Sequence, residues 1–101
     1  MIHLVARNLE AVRAACARHG VRSLAITGPL VRGDRSGAVS DIDFLVELDG
    51  DPSTAHRSLP QLREDFAGIL GRAVVVMPAA AVTDPMLLAD LKEGALQVFP
   101  P

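Results

Sequence analysis

The sequence predicts an α/β domain, a small mixed β-sheet flanked by helices, on three observations. Segments with helical and strand-like periodicity alternate along the chain. Half of the 101 residues are hydrophobic, enough for one core. The apolar runs are short and are closed by Gly, Pro or Asp, as in compact folds with tight connections. Surface scaling for a chain of this mass buries roughly 64% of the unfolded area. That describes one domain over residues 1–101 and leaves no room for separate catalytic and recognition domains.

The elements follow in order. Leu4, Val5, Leu9, Val12 and Cys16 recur at three- and four-residue spacing and predict one helix from Leu4 to about His19, ended by a left-handed Gly20. Ser23-Leu24-Ala25-Ile26-Thr27 reads as a strand, punctuated by Gly28-Pro29. Pro29 suits the first position of a helical turn through Arg32, closed by Gly33. Asp34 to Ser40 reads as an exposed loop, and Asp41 to Leu48 as the second strand, broken by Asp49-Gly50-Asp51-Pro52. A long helix is expected from about Ser53 to Leu70, with Leu59, Leu62, Phe66, Ile69 and Leu70 inward and Gly71 as its cap. Ala73 to Met77 is an uninterrupted apolar run, which predicts a strand buried on both faces. Asp84-Pro85 is an N-cap followed by a first-turn proline, opening a helix to about Glu93. Ala95 to Val98 completes the sheet at an edge.

Composition excludes several classes of function. Twelve acids against ten Lys and Arg give a net charge of −2, without the basic stripe that phosphate-driven nucleic-acid binding needs. With no Trp, no Tyr and three Phe, the chain has no platform for stacking single-stranded bases. Nucleic acid is therefore not the expected partner. A single Cys rules out an internal disulfide and a cysteine zinc site, and Cys16 on the apolar stripe reads as a core residue, not a nucleophile. No apolar run is long enough to span a bilayer, and the N-terminus lacks the layout of a signal peptide. A reduced, cytoplasmic protein with no membrane partner is the expectation.

Chemistry concentrates in Gly28-Pro29-Leu30-Val31-Arg32-Gly33 and in Ser40-Asp41-Ile42-Asp43-Phe44-Leu45-Val46. Alternation along a strand puts Asp41 and Asp43 on one face and sends Ile42, Phe44 and Val46 into the core. Two carboxylates on an open face suit Mg²⁺, a hard cation held by carboxylates together with substrate phosphates. The local charge agrees: Asp34, Asp41, Asp43, Glu47, Asp49 and Asp51 stand against Arg35 alone. Like charges this close favour a cation between them or solvent around them. The glycine-bounded corner places backbone N–H groups where phosphates bind, next to the strand that bears the two aspartates.

These residues resemble the minimal nucleotidyltransferases of the DNA polymerase beta superfamily, whose signature is a Gly-Ser corner, Arg-Gly, and Ser-Asp-x-Asp-(Leu/Phe)-x-Val on the next strand. The match runs from Val21 to Glu47, and Leu70-Gly71-Arg72 with the Ala73–Met77 strand fits the same layout. The resemblance implies a nucleotidyltransferase fold in which Asp41 and Asp43 are catalytic and bind Mg²⁺. Gly28, Pro29, Arg32 and Ser40 would face the nucleotide, ATP or another nucleoside triphosphate. It implies transfer of a nucleoside monophosphate to a protein or small-molecule hydroxyl. It also implies pairing with a HEPN-type toxin, since many such small proteins are antitoxins.

Two positions depart from the family pattern. Pro29 stands where the family has Ser and offers a phosphate neither a hydroxyl nor an amide hydrogen. The third carboxylate, on the strand after Gly71-Arg72, aligns with Val75. General-base help is worth ~10²–10⁴-fold in rate. Two expectations therefore stand side by side, an Mg²⁺-dependent transferase and a catalytically degenerate binding partner on the same fold; self-association is left open.

Other residues have plainer readings beside functional ones. Arg32 either faces a triphosphate or balances the acidic loop, and Ser40 either donates to a ligand or caps the loop. Thr27 is a candidate replacement for the missing hydroxyl, and Glu47 for the third carboxylate, although exposure alone explains the latter. His3, His19 and His56 share no metal-ligand spacing and read as surface residues. Arg57, Arg63 and Arg72 read as solvated charges, and Asp84 as a cap.

Overall fold

A computed structural model describes residues 2–27, 42–51 and 56–101, with residues 2 and 3 as backbone only. The described elements are α1 (Ile2–Arg7), α2 (Leu9–Arg18), β1 (Val21–Ile26), β2 (Ile42–Leu48), α3 (Leu59–Leu70), β3 (Val74–Pro78), α4 (Pro85–Lys92) and β4 (Leu96–Phe99). Short 3₁₀ turns occupy His56–Ser58 and Ala79–Ala81. The expected turn from Leu30 to Arg32 lies outside the described residues.

The sheet is mixed, in the order β3-β2-β1-β4. β1 runs antiparallel to both β2 and β4, and β2 runs parallel to β3. α2 and α3 pack together over one face, and the core between them and the sheet holds Val12, Cys16, Leu24, Ile26, Ile42, Phe44, Val46, Leu62, Phe66 and Leu70. Phe44 and Phe66 meet at its centre with ring centroids 5.0 Å apart, tilted by 45°, within the range of favourable aromatic pairs. Each fully buried side chain of this size stabilises the fold by about 1.5–3 kcal/mol. α2 is also tied to the sheet edge by Arg13, whose Nε donates to the Val98 carbonyl at 3.0 Å.

Three expectations change. The single N-terminal helix is two helices, broken at Asn8. The Asn8 amide Nδ2 donates to the Leu4 carbonyl at 2.8 Å, while its backbone N–H turns to Val5 at 3.0 Å. The side chain thus occupies the acceptor that the next helical N–H would have used. The third helix proper begins at Leu59, with Pro60 in its first turn after the 3₁₀ turn His56–Ser58. Residues 52–55, where an earlier start was expected, lie outside the described residues. β3 is not buried on both faces: it is an edge strand, Val74 is buried, and Val75 is 40% exposed.

The punctuation residues behave as the sequence predicts. Gly20 and Gly71 adopt left-handed φ of 66° and 67° where α2 and α3 end, the conformation that a side chain disfavours. The Asp84 carboxylate accepts from the Met86 N–H at 2.9 Å and caps α4. No helix among the described residues is long and apolar enough to cross a membrane.

Candidate functional site

β2 carries the site. Ile42, Phe44 and Val46 are buried beneath the helices, so Asp43, Leu45 and Glu47 belong to the opposite face of the sheet. Asp43 is half-buried there. The remaining expected site residues, Gly28, Pro29, Arg32, Ser40 and Asp41, lie outside the described residues.

Two strand pairings fix what surrounds Asp43. On the β1 side, Ile26 stands opposite Phe44, and Thr27 follows with its backbone N–H donating to the Asp43 carbonyl at 3.0 Å. The Thr27 hydroxyl donates to the same carbonyl at 3.3 Å, and the residue is 3% exposed. Thr27, the last described residue before Gly28, is therefore anchored to the backbone of Asp43. Its hydroxyl hydrogen is used inside the fold, which removes the support for Thr27 as a phosphate donor. On the β3 side, Asp43 is in register with Val75. Paired residues of parallel strands sit about 4.8 Å apart with side chains on one face. The position aligned with the third carboxylate is thus the immediate neighbour of Asp43, and it is apolar.

Glu47 does not replace that carboxylate. Four residues along β2 from Asp43, it lies ~13 Å away along the strand. It accepts from the Ser23 hydroxyl at 3.2 Å and pairs with Lys92 Nζ at 3.6 Å, partners that sequence reasoning missed. Beyond it, a cavity of about 340 Å³ is lined by residues that include Arg22, Glu47, Leu88 and Lys92.

His19 is not a free surface residue. Its Nε2 lies 2.7 Å from Asp65 Oδ2, and Arg18 and Gln61 bond the same carboxylate at 3.2 and 3.0 Å. The hydrogen bond with His19, then those with Gln61 and Arg18, bring the Asp65 carboxyl down to about 2. This cluster joins the end of α2 to α3 on the helical side of the molecule and serves packing. The Cys16 thiol is pushed up to about 12 by burial, which confirms it as an inert core residue.

Among the described residues, no group of three or more His, Cys, Asp or Glu is arranged to hold a metal ion. The Asp43 carboxylate fits Mg²⁺ in kind, a hard cation that takes oxygen ligands together with substrate phosphates, and Asp41, the second expected ligand, lies outside the described residues. Position 75 supplies no carboxylate.

No protein-family model matches the sequence, and no curated protein matches it. A solved structure provisionally described as that of a minimal nucleotidyltransferase is 30% identical, covers 93% of this chain and 91% of its own, and superposes with a TM-score of 0.71. At that identity over nearly the whole of both chains, with the sheet order and the Asp43 strand in place, this chain has the nucleotidyltransferase fold and belongs to the minimal nucleotidyltransferase family.

Proposed function

We propose that this protein binds ATP or a similar nucleoside triphosphate with Mg²⁺ at the corner between β1 and β2. We propose further that it works in the cytoplasm as a nucleotide-holding partner of another protein, in the manner of an antitoxin of a HEPN-type toxin, and not as an efficient transferase. The observation that carries this reading is the register pair of Asp43 and Val75.

Asp41 and Asp43 hold the ion, the backbone from Gly28 onward positions the phosphates, and Arg32 and Ser40 neutralise and orient them. When bound, Mg²⁺ supplies charge neutralisation of the phosphates. An acceptor hydroxyl has to lose its proton to attack the α-phosphorus, and a carboxylate beside Asp43 would take that proton. A valine isopropyl group accepts none. Pro29 adds to the deficit, because it donates nothing to the phosphates.

A second reading, an active transferase, is favoured by the intact Ser40-Asp41-Ile42-Asp43 segment. The acceptor oxygen would bond the α-phosphorus, pyrophosphate would leave, and the hydroxyl proton would go to solvent.

Calorimetric titration with ATP and Mg²⁺ tests the shared part of both readings. Magnesium-dependent binding is expected, weakened at least about tenfold in Asp43→Asn. Absence of binding in the folded wild-type protein, or binding indifferent to both Mg²⁺ and Asp43→Asn, overturns it. With no Trp or Tyr in the chain, a co-purified nucleotide would also dominate the ultraviolet spectrum.

A further inference from the structure

The apolar residues of α4 divide between two sides of the helix. Leu88 and Lys92 line the 340 Å³ cavity against the outer sheet face, and Lys92 and Ala95 line a second of about 330 Å³. That side faces the protein, held by the Lys92–Glu47 ion pair. The helix contributes no fully buried residue. On its other side Met86 is 78% and Leu87 48% exposed. Met86, Asp90 and Glu93 recur at i, i+4 and i+7 and form one stripe, with Leu87 beside it. Asp90 and Glu93 have no ion-pair partner among the described residues, whereas Lys92, the segment's base, is engaged by Glu47.

We propose that this face of α4 docks against an apolar surface rimmed by Lys or Arg on a different protein, with Met86 and Leu87 as anchors and Asp90 and Glu93 meeting the basic rim. Met86 and Leu87 form an adjacent, solvated apolar pair flanked by the two carboxylates, and Met adapts readily to an irregular surface. The acidic stripe selects a cationic occupant and repels anionic lipid and nucleic acid. It also disfavours a symmetric pair of α4 helices from two copies, since a two-fold contact would gather the Asp90 and Glu93 carboxylates of both copies in one interface with no base between them. The surface is independent of the nucleotide corner: Asp43 and Val75 take no part in it.

The test uses the full chain with its methionine methyls ¹³C-labelled, three signals in all, titrated with a synthetic amphipathic Leu–Lys helical peptide and with its Leu–Glu counterpart. The Met86 methyl should shift on addition of the Leu–Lys peptide and not of the Leu–Glu peptide. Asp90→Lys with Glu93→Lys, both at exposed positions, should weaken that binding about tenfold or more and favour the Leu–Glu peptide instead. Met86→Ser with Leu87→Ser, read by calorimetry because it lacks the reporting methyl, should abolish binding of either peptide, with ATP·Mg²⁺ titrations unchanged in all variants. Equal response to both peptides, a shift at Met77 instead of Met86, or sedimentation showing that a second copy already covers the face overturns the proposal. Failure of ATP binding with the peptide response intact would fault only the nucleotide reading.

Discussion

Asp43 on β2 and Val75 on β3 are register partners in a parallel pair, both on the sheet face that the core helices leave open. One is the described carboxylate of the pair proposed to hold Mg²⁺, and the other aligns with the position of the family's further carboxylate. The scaffold proposed to hold a nucleotide and the group that would activate an acceptor are thus separable in this chain: the first rests on strand geometry, the second on one side chain.

The scaffold depends on the Phe44–Phe66 contact, because Phe44 lies next to Asp43 along β2 and points the other way into the core. Phe66→Ala should cost about 3–5 kcal/mol, read as a lowered urea midpoint. A loss below 1 kcal/mol would mean that the core does not rest on this pair.

Acid should loosen the helical layer through Asp65. Its carboxyl, lowered from 3.8 to about 2 by its bonds to His19, Gln61 and Arg18, binds fewer protons when folded than unfolded. Its stabilising effect is therefore complete above about pH 4 and fades as pH falls through about 2. Wild type should exceed Asp65→Asn in urea midpoint at pH 5 and converge with it towards pH 2. A difference between the two that does not change with pH would contradict the assignment.

Cys16 should stay unreactive. Burial and a thiol pushed up to about 12 leave little thiolate at pH 8, so a thiol-specific disulfide reagent should label the native protein only at the rate of unfolding and label it at once in denaturant. Rapid native labelling would place Cys16 at the surface.

Much of this architecture was legible in the sequence because its punctuation is local. Gly20, Gly71 and the Asp84-Pro85 cap act through their own backbone, and alternation along Ile42 to Val46 follows from strand geometry. What sequence hid was set by contacts between distant segments. Asn8 sits in a helical pattern, and only its bond to Leu4 shows that the helix breaks there. The run Ala73 to Met77 looks buried on both sides because its composition does not reveal that β3 is an edge strand with Val75 exposed. His19 finds Asp65 from forty-six residues away, a pairing without a spacing signature. At the site, the motif indicated Asp43 and alignment indicated Val75, but only strand register brings the two side by side.

The most direct measurement compares wild type with Val75→Asp for transfer of labelled nucleotide from ATP to candidate protein or small-molecule hydroxyls in Mg²⁺, with urea midpoints confirming that both are folded. Position 75 is exposed enough to accept a carboxylate. Val75 in place of a proton-accepting carboxylate predicts little or no transfer by wild type and a gain of at least ~10²-fold in the variant. Brisk transfer by wild type that Val75→Asp fails to raise would contradict it.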